Sequence, residues 1–214
     1  LNRVIMNAKR ASAPAQINIP RDMWTQVIDI DLPAMVEFER PSGGDKAILE
    51  AAAMLSSSTN PVILNGAGVV LSEGAIEASK ALAERLDAPV CVGYQHNDAF
   101  PGSHPLFSGP LGYNGSKAAM ELIKDADVVL CLGTRLNPFS TLPGYGIDYW
   151  PQNAKIIQVD INPDRIGLTK KVSVGIVGDG AKVADKILHE LSDNAGDLNR
   201  TERKQKIAEL KSRW

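Results

Sequence analysis

The chain has 214 residues, a hydrophobic share of 44% and a formal net charge of −2. That composition suits a globular core and excludes long disorder; with no basic stripe, nothing marks it as a nucleic-acid binder. No apolar run approaches the roughly 18 residues needed to cross a bilayer, and the charged first ten residues hold no secretory core.

Taken in order, residues 1–22 read as a helix end followed by a strand, Ala15-Gln16-Ile17-Asn18-Ile19, stopped by Pro20. The start at Leu1 suggests a processed or cut chain. Residues 23–44, with Pro33, Pro41, Gly43 and Gly44, have linker composition. Residues 45–192 alternate helix and strand. Helical spacing covers 46–55, 73–86 (with Ser72 as N-cap), about ten residues ending at Asp125, and 181–191. Short apolar runs at 61–64, 89–92, 128–132, 155–161 and 172–177 read as strands, and 93–115 as one long loop. Residues 197–214 are helical in propensity but have no evident neighbour to pack on, so a marginal helix is expected there.

Runs that are apolar at successive positions are buried on both faces, as in parallel sheets covered by helices. The predicted class is α/β, a doubly wound parallel sheet of five or six strands.

Such sheets bind ligands beyond the carboxyl ends of their strands. The predicted strands exit into Asn65-Gly66-Ala67-Gly68, Gly93-Tyr94-Gln95-His96-Asn97-Asp98, Gly133-Thr134-Arg135, Asp160-Ile161-Asn162 and Gly178-Asp179-Gly180. The first lacks the third glycine of a dinucleotide fingerprint, and no acidic residue ends the second strand, which argues against NAD. Gly66 and Gly68 either permit a tight turn with positive φ or turn their amides toward a pyrophosphate. Arg135 either meets a phosphate or carboxylate or forms a surface ion pair. Asp160 either binds a ribose hydroxyl or, as the better fit, caps the turn through Pro163. Gly66, Gly68, Gly133, Arg135, Asp160 and Asp179 thus form a candidate nucleotide edge. Tyr94, Gln95 and His96 are the candidate substrate contacts, the alternative for their loop being a domain contact. His96 and His104 lack a third ligand for zinc, and His189 reads as solvated. Cys91 and Cys131 sit in apolar runs without CxxC spacing, as reduced core thiols of a cytoplasmic protein do.

The series Pro61-Val62-Ile63-Leu64-Asn65-Gly66-Ala67-Gly68, His104-Pro105-Leu106, Gly109-Pro110-Leu111-Gly112, 126–136, 154–163 and Val177-Gly178-Asp179 resembles the central domain of thiamine-diphosphate-dependent enzymes of the acetolactate synthase and pyruvate oxidase family. Residues 14–22 resemble the last strand of that family's pyrimidine-binding domain. Within the family, Gly144-Tyr145-Gly146-Ile147-Asp148-Tyr149-Trp150-Pro151 and the loop 93–110 are most similar to the sulfoacetaldehyde acetyltransferase branch.

The resemblance implies the end of a first domain at 1–22, a linker at 23–44, the central domain at 45–192, and at 193–214 a linker and helix leading to a C-terminal cofactor-binding domain. It implies thiamine diphosphate and Mg²⁺ in the full-length enzyme, bound between other domains, and a homodimer or homotetramer. The reaction it implies takes sulfoacetaldehyde and phosphate to acetyl phosphate and sulfite, the cofactor supplying the carbanion chemistry. This chain alone is then inactive. Gly178-Asp179-Gly180 imitates the family's magnesium motif, but Asn194 and Asn199 lie too near to complete it, so no metal is assigned. Some relatives bind FAD or ADP in this domain; Leu136-Asn137-Pro138 after Arg135 departs from the flavin pattern. The competing readings are an acetolactate synthase or related decarboxylase or lyase, and a nucleotide-binding or scaffolding module.

Overall fold

The computed structural model describes residues 1–11, 13–34, 38–193, 195 and 200–213, in two units, Leu1–Arg40 and Pro41–Trp214. Asn194, and Asn199 with residues 197, 198 and 214 of the predicted terminal helix, lie outside the described residues.

In the first unit, helix α1 (Asn2–Ala11) has no fully buried residue, and Asn2 Nδ2 donates to the Pro33 carbonyl at 3.1 Å. The strand predicted at 15–19 is absent: no sheet ladder forms there, and Ile17 and Ile19 are exposed. An extended segment becomes a strand only when a neighbour takes its amides and carbonyls. Val27, Ile28, Ile30 and Leu32 are likewise exposed.

Among its described residues the second unit holds six strands: β1 (Pro61–Asn65), β2 (Val90–Val92), β3 (Phe107–Pro110), β4 (Val128–Leu132), β5 (Lys155–Asp160) and β6 (Val174–Val177). Their order is β3-β2-β1-β4-β5-β6, and every pairing is parallel. The predicted doubly wound sheet is therefore present. Strand β3 lies inside the stretch read as loop. Its Phe-Ser-Gly-Pro sequence carries no strand signal, yet an edge strand paired only with β2 tolerates glycine and proline.

The pleat divides the core. Ile63, Leu130, Val90 and Ile157 face helices α2 (Asp45–Ser56), α4 (Ala75–Leu86) and α6 (Gly180–Glu190). Val62, Leu64, Val129 and Ile156 face α5 (Lys117–Lys124) and the Tyr149-Trp150 pair. Alternate residues of the central strands thus serve opposite layers, so these strands must be apolar throughout. Each such side chain contributes about 1.5–3 kcal/mol by its burial. Cys91 and Cys131 both pair with Leu64, on either side of it. Two strand spacings put them about 10 Å apart, beyond disulfide reach.

Helix α4 begins two residues later than predicted, at Ala75, after Gly74 at φ 77°. Ser72 does not cap it; its hydroxyl donates to Asp179 Oδ1 at 2.7 Å. The terminal helix α7 (Arg200–Ser212) does find a neighbour, contrary to the sequence reading. Its Ile207 is buried in the core that includes Leu122 of α5. Its buried Arg203 donates to the carbonyls of Leu86 (2.8 Å), Asp87 (3.5 Å) and Thr59 (2.6 Å). Lys204 and Lys206 pair with Asp87 and Asp125, each at 2.8 Å. A cation among the carbonyls that end α4 completes groups the helix cannot satisfy itself.

At the amino end of the sheet, Asp127 ties the entry of β4 to that of β1. Its carboxylate accepts from the Ser58 hydroxyl, the Thr59 amide (2.8 Å) and hydroxyl (2.9 Å), and the Asn60 amide (3.0 Å). Partial burial raises its pKa, but these bonds outweigh it and hold the group below its ordinary value. A carboxylate depressed in the folded state adds stability above its unfolded pKa, and that stability is lost as pH falls through the folded one. Asp127→Asn is expected to cost about 1–3 kcal/mol at pH 7 in urea unfolding, with a smaller penalty at pH 3.

Burial raises the Cys91 thiol to about 12 and Cys131 higher still. Groups raised in the folded state contribute stability that is full below the unfolded thiol value near 9 and is lost as pH rises. The urea midpoint is expected to fall steadily between pH 9 and 12. A thiol reagent at pH 8 should detect neither cysteine before unfolding and both after.

Candidate functional site at the carboxyl rim

All six strands run the same way, so their exits share one rim. Along it, amides just past the strands extend the sheet ladder. Gly93 N donates to Asn65 O (2.7 Å), Gly66 N to Leu132 O (2.9 Å), Gly133 N to Val159 O (2.9 Å) and Gly178 N to Asp160 O (3.0 Å).

The order of strands reverses between β1 and β4, the switch point where such sheets open a crevice. Here the two exits pack backbone to backbone. Gly68 N donates to Gly133 O at 2.8 Å, and a Cβ on Gly68 would stand 2.6 Å from Gly133 Cα. A Cβ on Gly66 would stand 2.6 Å from Gly133 O. Of the three, Gly133 alone has positive φ, at +58°; Gly66 is extended at φ −119°. Close approach, and not the positive φ of one of the two sequence readings, is what demands glycine at 66 and 68. Both amides are engaged within the protein. A four-residue helix, α3 (Ala67–Val70), follows.

Asp160 is buried and accepts from the Asn162 amide at 2.8 Å, as the turn-capping reading expected. Burial pushes its pKa up, opposed by that amide, by Arg165 (3.8 Å) and by the Ile161 amide. Asp179 caps α6, accepting from the amides of Ala181 (3.1 Å) and Lys182 (3.4 Å) as well as from Ser72. Arg135 is exposed, and its guanidinium has no partner among the described residues. His104 meets Glu84 at 3.1 Å, and His189 meets Glu190. Among the described residues no three metal-ligating side chains converge.

The candidate substrate residues lie on a better defined feature. Tyr94 stacks on Phe139 (centroids 5.8 Å apart, planes at 24°) and leans on Tyr113 (5.9 Å, 33°). These rings come from the loops after β2, β4 and β3 respectively. The hydrogen bond to Tyr113 raises the Tyr94 hydroxyl above its ordinary pKa, its charge and burial adding to the effect. Gln95 is exposed at φ 68°, and His96 starts a 3₁₀ turn, Asn97–Ala99. Leu136 is also left-handed, at φ 53°. Such conformations cost on the order of 1 kcal/mol each, and both fall on this rim. Sequence reasoning found Tyr94 but missed Tyr113 and Phe139, which lie 19 and 45 residues further along with no local signal joining them.

With the rim in view, the comparisons with known proteins are direct. Residues 48–187 match the thiamine pyrophosphate enzyme family, central domain. The chain belongs to that family. It is 74% identical over its whole length to the sulfoacetaldehyde acetyltransferase of Roseovarius nubinhibens, covering 35% of that protein. It is 32% identical over 92% of its length to the acetolactate synthase isozyme 1 large subunit of Escherichia coli, covering 34% of it. A crystal structure of benzoylformate decarboxylase from Polynucleobacter necessarius shares its fold, with a TM-score of 0.66 and 25% identity over 81% of this chain and 32% of that one. The chain thus spans about a third of the curated relatives it matches.

The described residues do not fit the family's cofactor. Asp179, the aspartate of the magnesium-like Gly-Asp-Gly, is buried and spends its Oδ1 on a helix cap and Ser72. No catalytic step is therefore assigned to this domain.

The glycine contact gives a direct test. Gly68→Ala is expected to lower stability by about 1–3 kcal/mol, because the clash is with backbone that cannot move aside. Gly74→Ala, where a Cβ meets nothing within 4 Å, carries only the cost of its left-handed φ. Thermal unfolding of the two variants would read the difference.

Proposed function

We propose that this chain is the central third of a thiamine-diphosphate-dependent sulfoacetaldehyde acetyltransferase, which converts sulfoacetaldehyde and phosphate to acetyl phosphate and sulfite. The observation that carries the reading is the 74% identity across the whole chain to a relative of that name, against 32% to an acetolactate synthase. In this reading residues 1–22 end the pyrimidine-binding domain, 23–44 link it to the central domain, and 193–214 lead to the domain that binds the cofactor. Thiamine diphosphate and Mg²⁺ sit in those other domains and supply the carbanion chemistry when bound. The central domain contributes a scaffold and the loops of its carboxyl rim. Tyr94, Gln95 and His96 face the organic substrate, and the exposed Arg135 suits an anion such as a sulfonate or phosphate. The enzyme works as a cytoplasmic homodimer or homotetramer. No helix among the described residues is long and apolar enough to cross a membrane.

The test is to extend the polypeptide to the length of its relatives and assay it with thiamine diphosphate, Mg²⁺, sulfoacetaldehyde and phosphate. Sulfite and acetyl phosphate are expected in equal amounts, and none from the 214-residue chain alone. Acetolactate from pyruvate, without sulfite release from sulfoacetaldehyde, would replace this reading with the synthase. Calorimetry of the chain with ADP, FAD and NAD would separately test the rim as a nucleotide edge.

A further inference from the structure

The loops that carry Tyr94, Tyr113 and Phe139 are tied together by two residues that the reaction leaves without a role. Ser140, after β4, accepts the Tyr94 amide on its hydroxyl at 3.0 Å. Tyr149 donates its hydroxyl to the Ser140 carbonyl at 3.0 Å and accepts the amide of Gly112, after β3, at 3.1 Å. Three loops that leave three different strands therefore meet at one tyrosine hydroxyl and one serine. Tyr149 is fully buried at 0% exposure, and burial raises its hydroxyl to about 12, so it remains both donor and acceptor at neutral pH. Gly112 sits at φ +113°, where a Cβ would come within 2.4 Å of Phe139 O, so the loops after β3 and β4 touch directly.

Above this knot the rings are open to solvent. Tyr113 is 46% and Phe139 56% exposed, although Tyr94 stacks on Phe139 and leans on Tyr113. A buried, satisfied polar network rigidifies what it holds. What it holds here is an aromatic ledge on the rim where doubly wound sheets meet their ligands. The switch point beside it is filled by Gly66, Gly68 and Gly133, and the ledge is a part of this rim that stays exposed.

We infer that Tyr149 is the positioning residue of this rim, fixing Tyr94, Tyr113 and Phe139 as one wall along the approach of the organic substrate. The inference rests on the acetyltransferase reading and names which part of the central domain shapes its substrate site. Tyr149 touches neither substrate nor cofactor; it acts through the loops it joins.

The test has two arms. In the 214-residue chain, Tyr149→Phe keeps the ring and removes the tie. Hydrogen exchange of the Gly112 amide should quicken on the order of tenfold, and the near-ultraviolet circular dichroism of the stacked rings should weaken, with the far-ultraviolet spectrum unchanged. In the full-length enzyme, Tyr149→Phe should raise KM for sulfoacetaldehyde on the order of tenfold while leaving KM for phosphate and affinity for thiamine diphosphate unchanged. Phe139→Ala, at an exposed position that does not threaten folding, should raise the same KM. A faster Gly112 exchange with no change in either variant's KM would reduce the tie to a purely structural one and overturn the inference, as would a Gly112 amide that exchanges no faster. A wild-type enzyme that releases no sulfite would overturn the acetyltransferase reading itself, and the wall along with it.

Discussion

The fold turns on a contact between two bare stretches of backbone. At the switch point the turn after β1 lies against the turn after β4 so closely that a single Cβ at Gly66, Gly68 or Gly133 would overlap main-chain atoms. This contact joins the half-sheet β3-β2-β1 to the half-sheet β4-β5-β6 at the rim, as the β1–β4 ladder does below it. It also decides what the rim can offer. In a dinucleotide-binding fold, glycines here let a phosphate approach the backbone. In this chain they let one backbone approach another, and amides that would greet an anion are spent on neighbouring carbonyls.

With the switch point closed, the exposed rings of the rim stand to one side of it, on the loops after β2, β3 and β4. There the chemistry is aromatic, and the rings are held by hydroxyls that are themselves buried or partly so. The amino end of the sheet is built differently. Asp127 gathers the segment before β1, Arg203 fills the carbonyls at the end of α4, and Arg85 reaches the carbonyls of Ser192 (2.6 Å) and Asp193 (2.8 Å). Charge against backbone dipoles secures one end of the sheet, and ring stacking over a polar knot shapes the other.

Much of this could be read from residue order. The unbroken apolar runs at 61–64 and 128–132 required burial on both faces, and the sheet delivers it. The turn at Asp160 was legible because Asp-x-Asn-Pro is a local instruction, satisfied two residues away. Where the reading failed, the deciding partner was remote. Ser72 has the sequence of a helix cap, but Asp179 recruits its hydroxyl from 107 residues away. Phe107-Ser108-Gly109-Pro110 has no strand propensity and is a strand because β2 offers it a free edge. Residues 15–19 have the propensity and are not a strand, since the described residues of their unit give them no ladder partner.

The sequence by itself determined the class of fold, the direction of the strands and the place of the rim, because hydrophobic period and turn chemistry act within a few residues. Only the tertiary structure decided that Gly66 and Gly68 serve backbone contact, that α7 packs beside α5, and that Tyr94, Tyr113 and Phe139 form one surface over Tyr149. Each of those depends on groups far apart in the chain meeting at bond or van der Waals distance, and no local pattern encodes that meeting.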